Sequence, residues 1–558
     1  MKKLFCFIFV LCAGFCAHAL DREAFTFTKY DLNVRIEPEQ QRLGVRGRIN
    51  LRNDSNSPQR NLTLQISSSL HWSSITCAGK PVEFVTQPYI SDIDHTGALS
   101  EALVVLPQSV APKQSIDVDV GYEGVIPLDV TRLSRIGVPD GTAKHTDWDQ
   151  ISQSFTAVRG IGYVAWYPIA TEAASLADAD SVDEAVGRWK SRETDCEMSL
   201  LFESTSSLPV LFSGTPSLAE VVTDKEIKSI RAYDLVRPGV SVPTFVIADY
   251  SEVEQKNDRV KVEYLAGEED AAKEYADTAA QLDSEILVSR KSANLEILSL
   301  PDSEASPFAS QNMLLTPVKL PMHNDTVLNI VYSRARSSVS SLQPWVQEGV
   351  AHFAQAISIE SLQSRQAAIE YMRTRSKVLV DSTSKGRLEG DTSLLDAADD
   401  NYLQVKAMYV WWMLQDMVGK NALTGAFLSY RIGEDRDPAY IEKLMETQSH
   451  RDLRWFFDDW VYHDHGLPDF RIVSVYPSAL PIGGYMVTVT VENLGGAGAE
   501  VPVIVHLQDG EKSDRLIVHG KSKASIRIQA PSLPQTVTVN DGSVPETDMS
   551  NNEYKFNH

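Results

Sequence analysis

Hydrophobic periodicity changes twice along this chain of 558 residues, and those two changes constrain its fold more than any single motif. From Phe25 to about Val246, apolar and polar residues alternate, as in Tyr30-Asp31-Leu32-Asn33-Val34-Arg35-Ile36 and Arg46-Gly47-Arg48-Ile49-Asn50-Leu51. A period of two is that of a half-buried strand, so this part is predicted to be β-rich. Near Glu268 the spacing turns helical and stays so through Asp469, which predicts a mostly α region with few strands. After Phe470, short alternating runs return (Arg471–Val475, Met486–Glu492, Val501–Leu507, Arg515–Val518, Ser525–Gln529, Thr536–Val539) and predict a β-sandwich. The expected class is multidomain α+β: a β-rich domain over 20–246, a mostly helical domain over 247–470 and a sandwich over 471–558.

Charge narrows the partners. Lys plus Arg number 52 against 75 Asp plus Glu, a net charge of −23, with no long run of basic residues. Nucleic acid and anionic membrane surfaces are therefore disfavoured. Lys2 and Lys3 precede the apolar run Leu4 to Phe15 and then Ala17-His18-Ala19, the pattern of a signal peptide over 1–19 cleaved after Ala19. That run is shorter than the ~20 residues a membrane-spanning helix needs. Phe15 before Cys16 and Leu11 before Cys12 do not suit lipid attachment. A secreted or periplasmic protein with no membrane span in the mature chain is expected. Removal of the leader takes Cys6, Cys12 and Cys16 with it and leaves Cys77 and Cys196, an even pair able to form a disulfide in an oxidising compartment.

The most informative stretch is Trp345-Val346-Gln347-Glu348-Gly349-Val350-Ala351-His352-Phe353, with Asp452-Leu453-Arg454-Trp455-Phe456-Phe457-Asp458-Asp459-Trp460 about a hundred residues later. These segments, with Trp166-Tyr167-Pro168 and the domain order, resemble the membrane alanyl aminopeptidase family of gluzincin zinc metallopeptidases. The resemblance covers most of residues 25 to 470 and implies a thermolysin-like fold for the helical domain. In that family, histidines at i and i+4 of one helix and a glutamate on the next bind Zn²⁺, and a further glutamate acts on the bound water. Glu348 matches the closing glutamate. Counting back from it, Asp325 and Asn329 stand at the histidine positions and Thr326 at the base. An amide and a hydroxyl do not supply that chemistry. The strand that holds the substrate's amine is matched by Phe308 to Asn312, with neutral Gln311 at the anchoring position, and the family's oxyanion tyrosine falls on Leu403 or on the adjacent Tyr402. No catalytic position is intact, and no cofactor is expected.

Simpler readings stand beside these. Asp325 suits an N-cap or first-turn acid of an amphipathic helix. Met408, Trp411, Trp412, Met413 and Leu414, ended by Gly419, suit a buried helix. His463, Asp464 and His465 suit a solvated link. No Gly-x-Ser-x-Gly elbow and no phosphate-binding loop occur. The leading expectation is an enzyme-family homologue whose cleft, with Gln311, Asn312, Asp325, Asn329, Glu348 and His352, binds a peptide or protein partner without cutting it. The alternative is a hydrolase with an atypical zinc site built from Asp325, Glu348 and His323 or His352. A third places the work in the C-terminal strands as a surface-binding module.

Overall fold

The computed structural model describes residues 20–556 apart from 179–180, 219–224, 239–240, 256–258, 283–293, 340, 342, 385–392, 398 and 482. The expected leader, residues 1–19, lies outside the described residues, as do Cys6, Cys12 and Cys16.

Alternation in the first third builds sheets. Tyr30, Leu32, Val34 and Ile36 point inward from the strand Phe25–Glu37, which pairs antiparallel with Arg42–Asn53 and parallel with Glu197–Ser204. An eight-stranded sheet results, and a three-stranded sheet of Gln59–Ser67, Ala98–Val110 and Glu83–Ile90 contributes to the same apolar core. Trp166 and Tyr167 are fully buried there, with the backbone carbonyls of Trp166 and Pro168 accepting hydrogen bonds from Tyr122 (3.0 Å) and Tyr30 (2.7 Å).

Two sequence expectations need correction here. First, the β-rich region carries a twelve-residue helix, Ser181–Arg192, which buries Ala185, Val186 and Trp189. Its signal was present: Ser181 is followed three residues later by Glu184, a capping-box pattern, and Val182, Ala185, Val186 and Trp189 follow helical spacing. Second, Cys77 and Cys196 are both buried free thiols. Cys77 ends the strand Leu70–Cys77 and Cys196 precedes Glu197–Ser204; strands Phe25–Glu37, Arg42–Asn53 and Ser115–Val125 lie between them in the sheet. Four inter-strand steps separate the two positions by about 19 Å, whereas a disulfide needs Cα atoms within about 7 Å.

The middle region opens with a five-stranded sheet in the order Ser251–Gln255, Val260–Tyr264, Leu295–Ser299, Met313–Thr316, Phe308–Ser310, with the three central strands parallel. Phe308–Ser310 is therefore an edge strand. Helices follow, among them Asn324–Ser338, Pro344–Leu362 and Asp400–Val418. The last two cross closely at Gly349, where a Cβ would stand 2.7 Å from both the Ala407 Cβ and the Trp411 Cδ1. Only glycine fits, because Ala407 and Trp411 are fully buried and have no room to give. Trp345 stacks on Trp411 with ring centroids 5.6 Å apart, and Met408, Trp412, Met413 and Leu414 are buried beside them.

All six strands expected after Phe470 form, with a seventh at Glu553–Lys555, in two sheets of three and four strands. Their inner faces do not close a core alone. Val487, Val501, Val503 and Val537 belong to the same continuous apolar cluster as Trp345, Trp411 and Trp460. Arg515 reinforces the junction by pairing with Asp416 (3.4 Å) and Glu500 (3.1 Å). No helix of the described residues is long and apolar enough to cross a membrane.

Candidate functional site

Between the β-rich region and the helices lies a cleft of about 760 Å³. The Ser181–Arg192 helix walls one side with Val182, Val186, Gly187 and Lys190. Tyr332, Arg336 and Glu348 come from the two helices Asn324–Ser338 and Pro344–Leu362, and Asp400, Leu403 and Gln404 from the start of the next long helix. Phe308 and Ala309 bring the edge strand of the five-stranded sheet to the cleft wall. Phe308 packs edge-on against Tyr163 at 5.3 Å.

Two ion pairs set the charge of the cleft. Glu348 accepts a 2.9 Å hydrogen bond from Arg336 Nε at Oε1 and a 2.6 Å hydrogen bond from the Tyr332 hydroxyl at Oε2. Burial opposes ionisation of Glu348, but Arg336, His352 and the Tyr332 hydroxyl together outweigh it and lower the carboxyl to about 2. Lys190 pairs with Asp400. Burial works against its charge as well, and Asp400 holds it above the ordinary lysine value. These two pairs are joined on the cleft wall by Asp183, Asp396 and Arg436.

The sequence-derived site residues fall out as follows. Glu348 lines the cleft; Gln311, Asn312, Asp325, Asn329 and His352 are not among its lining residues. Asp325 is an exposed acid in the first turn of its helix, with His323 at the N-cap. Arg336, the residue that meets Glu348, comes seven residues after Asn329 and eleven after Asp325, about 10 and 16 Å further along the helix axis. Thr326 shares that early turn, its backbone N–H bonded to the His323 carbonyl (3.0 Å). Gln311 sits at the turn between the edge strand and its neighbour with φ of 48°, and the Asn312 carbonyl accepts from the Glu296 N–H (2.8 Å). Leu403 lines the cleft, whereas the Tyr402 hydroxyl is spent in the interior, donating to Asp464 and accepting from Lys406 Nζ (3.0 Å). His463 and His465, about half exposed, pair with Asp458 (3.0 Å) and Asp459 (2.8 Å), but Asp464 between them is buried against Lys406 (2.9 Å), so the expected solvated link is corrected at that residue.

His352 follows Glu348 by one turn on the same face. Gln355 Nε2 donates to the Leu328 carbonyl (3.0 Å), so its Oε1 is the acceptor for His352 Nδ1–H (3.0 Å). Burial lowers the imidazole below its ordinary value against the pull of Glu348, which keeps it neutral near pH 7.

These residues do not fit the zinc site that the motif resemblance implies. Both oxygens of Glu348 are engaged and a guanidinium lies against it, Asp325 is turns away, and Asn329 offers an amide oxygen. Among the described residues, no group of three His, Cys, Asp or Glu is placed to hold a metal ion. Sequence reasoning missed Arg336, Tyr332, Lys190 and Asp400. The i, i+4 spacing that puts Tyr332 and Arg336 on one helix face was the available signal.

No protein-family model matches the chain, and no curated protein matches it. Among solved structures, an M1 zinc metallopeptidase from Deinococcus radiodurans, a point mutant bound to a Tyr-Ser-Ala substrate, aligns with a TM-score of 0.46 at 13% identity, covering 79% of this chain and 94% of that one. The M1 zinc metallopeptidase from the same organism aligns with a TM-score of 0.44 at 12% identity and the same coverage.

Proposed function

We propose that the cleft holds an extended peptide or a segment of a protein partner without hydrolysing it by the zinc mechanism of the family its motifs resemble. The observation that carries this is the edge strand Phe308–Ser310, which is the unpaired border of its sheet and lines the cleft. A peptide added beside such an edge gains backbone hydrogen bonds, and its alternate side chains enter the space between the helices. The walls suit that use: Val186, Phe308, Pro344 and Leu403 are apolar, and Lys190 and Arg336 are already paired with Asp400 and Glu348. Glu348, with a hydrogen bond at each oxygen from Arg336 and Tyr332 and its carboxyl held at about 2, is a poor base. We further propose an exported protein divided at residues 246 and 470, with a terminal β-sandwich that braces the helical region through their common core.

Ala309→Arg tests the cleft directly. A long cation on the edge strand fills the peptide's path while its backbone pairing with Leu314 persists. Binding of a fluorescent mixed-sequence peptide pool, followed by polarisation, should weaken by about tenfold or more, with the melting temperature little changed. Unchanged binding would place the peptide elsewhere.

A further inference from the structure

We infer that Arg336 is a built-in cation that takes the electrostatic position a divalent metal would occupy beside Glu348 and so keeps metal ions out of the cleft. Two adjacent helices present the pair, with Nε to Oε1 at 2.9 Å. The Arg336 side chain is 5% exposed and that of Glu348 15%, so neither can turn to water to release the other. Tyr332 donates to the second carboxylate oxygen, so each Glu348 oxygen already accepts a hydrogen bond. The neighbouring cation, Lys190, also lines this space. Lys190 is itself paired with Asp400, so what an arriving divalent ion would meet at Glu348 is the Arg336 guanidinium and a carboxylate already neutralised at contact distance. His352, one turn from Glu348, has Nδ1 committed to Gln355 and keeps only Nε2. Removing the guanidinium would therefore uncover a two-residue remainder, Glu348 with His352 Nε2, spaced i, i+4 as helical zinc ligands are.

Arg336 acts through Glu348 and is a positioning residue. Its role concerns the charge of the cleft and stands apart from peptide binding, because metal uptake reads it. The experiment uses the full mature chain without affinity-tag histidines, as wild type, Arg336→Met, Arg336→Lys and the Arg336→Met/Glu348→Gln double variant. Each is checked by circular dichroism and titrated with zinc chloride by calorimetry, with elemental analysis after dialysis. Wild type and Arg336→Lys, which both keep a cation, should carry essentially no zinc. Arg336→Met should bind zinc tighter than wild type by roughly tenfold or more, and the double variant should lose that gain. The inference is overturned if wild type holds a stoichiometric zinc, or if a folded Arg336→Met binds zinc no better than wild type. Should Arg336→Met not fold, the wild-type and Arg336→Lys titrations still decide, since stoichiometric zinc in either contradicts a cation that excludes metal.

Discussion

Lys406→Met should destabilise the protein by about 3–5 kcal/mol, the cost of leaving one member of a buried ion pair uncompensated. Lys406 Nζ lies 2.9 Å from Asp464, with the two side chains 2% and 1% exposed. Burial lowers the lysine below its ordinary value and Asp464 pulls the other way. The Tyr402 hydroxyl joins both, and Asp464 Oδ1 accepts from the Gly466 N–H (2.9 Å), so the cluster fixes where the chain leaves the helices for the terminal strands. Lys406→Met with Asp464→Leu should recover much of the loss, since removing both charges leaves no orphan. Chemical denaturation monitored by tryptophan fluorescence would check this. Equal instability of the single and double variants would show that the pair is not what matters at this position.

The second large effect belongs to Glu193 and depends on pH. Its side chain is fully buried and makes no hydrogen bond of ordinary length and angle to the described residues. Burial pushes the carboxyl from its usual 4.5 up to about 8, against the opposing pull of the Phe27 backbone, Arg192 and Arg52. A raised folded value means that the contribution of Glu193 is present in full below about 4.5 and is lost as pH rises through about 8. Complete ionisation would cost on the order of 4 kcal/mol. Glu193→Gln carries no charge to bury, so it should match wild type near pH 5 and melt several degrees higher at pH 8.5 and above. Glu546, raised to about 7 by burial, adds a slope of the same sign to both proteins and does not obscure the difference. Parallel melting curves for the two proteins across this range would contradict the assignment.

How far the fold could be read in advance follows from which interactions are local. Strands such as Tyr30–Ile36 and Val501–Leu507 announce themselves because alternation reflects one wet and one dry face. Gly349 stands in the stretch that the sequence marks, but its close partners Ala407 and Trp411 were not legible, because helix crossing depends on distant sequence. The Ser181–Arg192 helix was overlooked because a strand pattern surrounded it, despite its own Ser181 and Glu184 capping signal. Glu348 was read as the match to a closing zinc ligand with partners at Asp325 and Asn329 by counting, whereas packing sets its contacts at Tyr332 and Arg336. One sequence can show that Tyr332 and Arg336 share a helix face, but only the packing of the two helices shows that Glu348 meets them. The Cys77–Cys196 pairing failed for a related reason: compartment arithmetic counts thiols, and only sheet order shows that three strands separate them.

The central claim is that this cleft holds peptides and leaves them intact. The most direct measurement is mass spectrometry of a defined peptide mixture after incubation with the mature protein, with the bound fraction separated from the free and both run with and without a chelator. The account predicts that bound peptides are recovered at full length and that the chelator changes neither binding nor recovery. Shortened peptides whose formation stops on chelation, and stops again in Glu348→Ala, would contradict it.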